Sequence, residues 1–172
     1  MPGESRPEFS RPVAVAAIPA GGRPERIEAG EAERVALARR FDIPAIESLH
    51  AELRLLPETG GSVRVTGRMA ARVVQSCVVT LDPVTQEVEE PVDLRFRPES
   101  EALSDDPDGP DEIALEGGVM DLGEAVAEQL SLALDPYPRA PGAAVPEGDA
   151  PPAGEDRGPN PFAALRGLKG RG

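Results

Sequence analysis

Tryptophan is absent from this 172-residue chain, and aromatic residues make up 3% of it. The core must therefore come from Val, Leu, Ile and Ala, and the rings on which RNA bases commonly stack are scarce. There is one cysteine, Cys77, and one histidine, His50. A lone cysteine excludes an internal disulfide, and one of each leaves no His/Cys set that could hold zinc; the usage reads as a reducing compartment. Positive charge is also short. Against 31 Asp and Glu stand 18 Lys and Arg, a formal net charge of −13 at pH 7, which repels phosphate backbones and anionic lipid at long range and favours a basic partner. The apolar run Val13 to Ile18 is far shorter than the ~20 residues that span a bilayer. Neither a membrane span nor a signal peptide is expected. Proline and glycine, by contrast, are plentiful at 20 and 18 residues, and with 40% hydrophobic residues the chain suits one modest domain with long non-regular segments.

In chain order, Met1 to Ser10 is polar and proline-bearing and is expected to be a mobile end, followed by a short strand over Pro12 to Ala17 that Gly21-Gly22 breaks. Ala29 to Phe41 sets Ala32, Val35, Ala36 and Arg39 at helical intervals, predicting a helix that ends near Asp42 and Pro44. From Ser48 the period changes to two: Leu49, Ala51, Leu53 and Leu55 share a buried strand face, and His50, Glu52 and Arg54 the other. After a turn at Glu58 to Gly61, the run Ser62 to Leu81 alternates again, with Val63, Val65, Met69, Ala71 and Val73 against Arg64, Thr66, Arg68 and Arg72. It exceeds the ~5–6 residues of a typical strand, which predicts a bend or bulge near Gly67 or at Gln75-Ser76. Asp82-Pro83 turns the chain, and Glu87 to Arg97 returns through Val88, Val92, Leu94 and Phe96.

Glu99, Glu101, Asp105, Asp106, Asp108, Asp111 and Glu112 crowd one stretch with no Lys or Arg; without them the rest carries −6. High charge and few apolar residues predict a flexible acidic loop over 99–112, with a final short strand at Ile113 to Val119. Asp121 then starts a helix: its carboxylate caps the free amides, Glu124 can reach back, and Leu122, Val126, Leu130 and Ala133 recur at helical spacing. Asp135-Pro136, Pro138 and Pro141 give a stiff, extended exit. A Pro/Gly-rich linker over 138–159 leads to Asn160-Pro161, an N-cap and first helical position for a short helix carrying Phe162, Leu165, Leu168 and Lys169. The fold class is α+β: an antiparallel β-meander sheet packed with two helices, a flexible acidic loop and a tethered C-terminal helix. The expected boundaries are 1–10 for the mobile end, 11–137 for the domain, 138–159 for the linker and 160–172 for the docking helix.

Three segments carry a resemblance: QSCVVTLDPV (Gln75 to Val84), DLGEAVAEQLSLALDPYPRAPGA (Asp121 to Ala143) and NPFAALRGLK (Asn160 to Lys169). In this order, with PEFSRPV near the amino terminus, they resemble the bacterial YceD family of large ribosomal RNA subunit accumulation proteins, in the form that alphaproteobacteria carry. The resemblance implies a cytoplasmic, non-catalytic factor without a cofactor that supports accumulation of large-subunit ribosomal RNA, in a family whose genes often lie beside one for a large-subunit ribosomal protein. It offers no catalytic residues, only motif positions: Cys77, Asp121, Glu124, Glu128, Asp135, Pro136, Tyr137, Pro138, Asn160, Pro161 and Phe162. Many members have a second cysteine three residues after the one matching Cys77, where this chain has Thr80. That departure argues against a redox or metal role.

The only basic stripe is Arg64, Arg68 and Arg72, successive members being about 13 Å apart on one strand face. It can follow a phosphate backbone, or it can solvate the sheet and pair with neighbouring acids. Cys77 reads as a buried small hydrophobe, since Ser76 and Val78 supply no charge to stabilise a thiolate. Glu124 reads as a cap, Glu128 as surface, His50 as exposed, and Tyr137 as a packing anchor or a partner contact. The tail residues Asn160, Pro161, Phe162, Leu165, Leu168 and Lys169 can dock into a partner groove or onto their own domain. Two partner classes follow: large-subunit ribosomal RNA or a pre-ribosomal particle, touched through the arginine face and the tail; or a basic ribosomal protein that the acidic chain escorts.

Overall fold

The alternating runs form the centre of a five-stranded sheet. β3 (Ala45–Pro57), β4 (Val63–Ser76) and β5 (Pro83–Arg97) are consecutive antiparallel neighbours, flanked by β2 (Arg23–Glu28) beside β3 and β6 (Asp111–Ala114) beside β5. A two-stranded antiparallel sheet pairs β1 (Pro12–Ala14) with β7 (Val119–Asp121), and the helices are α1 (Glu31–Arg40) and α2 (Leu122–Ala133). The architecture is α+β. This computed structural model describes residues 7–99 and 109–144. Up to Pro141 they belong to one compact unit, and a second unit begins at Gly142. The expected terminal helix, with Asn160, Pro161, Phe162, Leu165, Leu168 and Lys169, lies outside the described residues, as does most of the acidic loop.

Several elements differ from expectation. The sheet is not purely an antiparallel meander, because β6 pairs with β5 in parallel. A parallel neighbour needs a crossover of about a dozen residues, and the acidic stretch supplies that length, while Asp111 and Glu112 belong to β6. β2 was not foreseen: only Ile27 of its six residues is buried, so an edge strand leaves almost no apolar alternation to read. The first strand stops at Ala14 and gives way to a 3-10 turn. The run 113–119 divides between β6 and β7, because Gly117 and Gly118, both at positive φ, turn the chain. β4 pairs with β5 without interruption from Val63 opposite Phe96 to Ser76 opposite Pro83; the register shift lies in β3, between Ile46 and Ser48.

The buried face of the sheet carries Leu49, Leu53 and Leu55 from β3, Val63, Val65, Met69 and Val73 from β4, and Val92, Leu94 and Phe96 from β5. α2 lays Leu122, Val126 and Leu130 into the same core. The body starts before residue 11, since Phe9 is fully buried and Ser10 donates to Asp121. It also continues past Tyr137: Pro138 is buried, and its carbonyl accepts the Val78 N–H at 2.9 Å.

Candidate functional site

Alternation puts Arg64, Arg68 and Arg72 on the outward face of β4, and strand register decides what they meet. Arg64 grips Asp93 of β5 through two bonds of 2.9 and 2.8 Å, and this pairing raises its pKa. Arg68 meets Glu89 at 3.4 Å, while Arg72 lies between Glu47 of β3 at 2.7 Å and Glu87 of β5 at 3.2 Å. Arg26 and Glu52 continue the pattern toward the edge. Every member of the stripe therefore faces a carboxylate, and the outer sheet surface is a lattice of alternating charge. His50, half-buried, sits on this face opposite Ala70.

At the far end of the sheet, the loop between β4 and β5 meets the chain leaving α2. Gln75 donates through Nε2 to the Asp135 carbonyl at 2.9 Å, and Val78 donates to Pro138. Asp135 Oδ1 accepts the Tyr137 N–H at 2.9 Å, turning the chain at Pro136. Tyr137 points outward at 71% exposure, and Val78, Leu81 and Leu132 are exposed too.

Cys77 is completely buried. Its Sγ accepts hydrogen bonds from the Ala140 N–H, from the Thr80 hydroxyl and N–H, and from the Val79 N–H. These donors hold its pKa down at about 7 although burial opposes them. The sequence neighbours bring no charge, as expected; the stabilisation comes from hydrogen-bond donors, foremost the Ala140 N–H, which is distant in sequence. Among the described residues no group of three or more His, Cys, Asp or Glu is placed to hold a metal.

Asp121 accepts the N–H groups of Arg11, Gly123 and Glu124 at 2.7, 3.0 and 3.2 Å. Glu124 does not reach back in the foreseen capping box. It pairs instead with Arg40 of α1 at 2.7 Å, and Arg40 also holds Glu8, so its pKa is raised. The reach-back occurs in α1, where Glu33 accepts the Gly30 N–H at 2.7 Å. Glu128 is exposed. Arg11, not singled out from sequence, donates to both oxygens of Glu33 and stacks 4.6 Å over Phe9. This lowers the Glu33 pKa and raises that of Arg11.

The family model described as large ribosomal RNA subunit accumulation protein YceD matches residues 65–169. The chain belongs to the YceD family. No curated protein and no solved structure matches it. The matched span begins inside β4 and includes the junction at the end of the sheet, so two of the YceD-like segments, Gln75 to Val84 and Asp121 to Ala143, are in direct contact there. The family description implies a role in accumulation of the large ribosomal RNA subunit. No helix among the described residues is long and apolar enough to cross a membrane.

Proposed function

We propose that this YceD protein is a non-catalytic, cytoplasmic factor that supports large-subunit ribosomal RNA through a basic ribosomal protein, which it holds as an acidic escort. The observation that carries this reading is the pairing of Arg64, Arg68 and Arg72 with Asp93, Glu89, Glu47 and Glu87. A phosphate would have to displace these acids, and a chain of net charge −13 repels RNA before contact. Basic proteins meet the opposite field. The second reading, direct contact of the arginine face and tail with large-subunit RNA or a pre-ribosomal particle, keeps the support of the family description and of three arginines on one face.

The deciding experiment is a pull-down of the tagged full chain at moderate salt, with half the sample treated with RNase. One basic ribosomal protein retained after RNase supports the escort. Large-subunit RNA retained with its proteins, and lost on RNase treatment, supports the second reading and overturns the first.

A further inference from the structure

A groove of about 380 Å³ opens between α2 and the β6–β7 turn. Its floor is apolar, formed by Phe96, Ile113, Met120 and Ala125, and its four charged residues are all acids: Glu116, Asp121, Glu124 and Glu128. No Lys or Arg lines it. Asp121 is committed to backbone amides and Glu124 to Arg40. Glu116, on the turn, and Glu128, on α2, are exposed and make no ion pair among the described residues. Among the described residues β6 pairs only with β5, whereas in β7 the Val119 N–H and carbonyl are taken by Glu116. Among the described residues β6 thus presents an unpaired edge of backbone donors and acceptors.

We infer that this groove seats an extended basic segment of a partner protein, with apolar side chains on the floor and Lys or Arg side chains toward Glu116 and Glu128. The inference rests on the reading that the partner is a basic protein, and it names the surface. The volume admits a few side chains rather than a folded domain, the β6 edge suits strand addition, and the unpaired Glu116 and Glu128 exclude phosphorylated or acidic ligands.

Fluorescence anisotropy with a labelled peptide alternating Lys and Leu, compared with oligolysine of equal charge, tests it on the full chain. The Lys/Leu peptide should bind more tightly than oligolysine. Glu116→Lys with Glu128→Lys should weaken it by about tenfold, whereas the same charge change at Glu89→Lys with Glu90→Lys on β5 should alter it by less than about twofold. Ala114→Trp, filling the groove from an exposed position, should also weaken binding. Equal losses in the two charge-reversed pairs, no preference over oligolysine, or no binding by the native chain would each overturn the groove. A basic ribosomal protein retained after RNase by both the native chain and the groove pair would overturn the groove but leave the escort standing; one retained by neither would overturn the escort itself.

Discussion

At Gly67 the β3 backbone comes so close that a Cβ would lie 2.0 Å from the Glu52 carbonyl oxygen and 2.9 Å from Leu53 Cα. Gly67→Ala must push two central strands apart and is expected to cost about 1–3 kcal/mol, read by urea unfolding. Cys77 gives a pH signature. Its value near 7 in the folded chain lies below the ordinary 9.0, so folding favours the thiolate. That contribution is complete above pH 9, shrinks below it, and is lost as pH falls through about 7. Stability of the native chain should therefore rise between pH 7 and 9 relative to Cys77→Ala. The thiolate ultraviolet absorbance should titrate near 7, and higher in Thr80→Val; a midpoint near 9 in the native chain would contradict the donor geometry. Burial of Cys77 was legible in sequence because Ser76 and Val78 bring no charge to stabilise an exposed thiolate. Its first donor, Ala140, was not, since it is distant along the chain.

The two helices show how element stability divides between local and long-range causes. α2 carries its own cap and a continuous apolar side, so Asp121→Ala should lower stability by about 1–2 kcal/mol in thermal unfolding, with Asp121→Asn costing less because its carbonyl still accepts. Gly123 is required where α2 begins, because a Cβ there would lie 2.4 Å from the Phe9 carbonyl oxygen. α1 buries only Leu37 and Ala38, and Arg11 to Glu33 and Arg40 to Glu124 add partly exposed ion pairs to that contact. Salt screens exposed pairs. Amides of α1 should consequently exchange with deuterium faster than those of α2, and the gap should widen on adding salt; equal protection at all salt concentrations would show that apolar contact alone holds α1. Both helices were legible from spacing, but the residues that attach α1 were not, because Val35, on the expected periodic face, is 48% exposed.

For the molecule as a whole, the balance of charge across the outer sheet separates the two partner classes. Glu87→Gln, Glu89→Gln and Asp93→Asn together would free Arg64 and Arg68 and leave Arg72 with Glu47 alone, with little change in shape. The triple variant should bind RNA measurably more tightly than the native chain at low ionic strength, with affinity falling steeply as salt rises. Indistinguishable RNA binding by the two proteins would mean that the paired acids are not what restrains the stripe.

The sequence by itself determined the period-two runs of β3, β4 and β5, the capped start of α2 at Asp121 and the proline-locked exit through Pro136 and Pro138, because each follows from steric and hydrogen-bonding preferences among near neighbours. It also placed Arg64, Arg68 and Arg72 on one face. Tertiary structure alone decided that β6 runs parallel to β5, that β2 exists, that the Cys77 loop binds the chain after Asp135, and that each stripe arginine meets an acid. These depend on register between strands, where a slip of one residue exchanges the faces, and no local pattern encodes which distant carboxylate or amide will lie opposite.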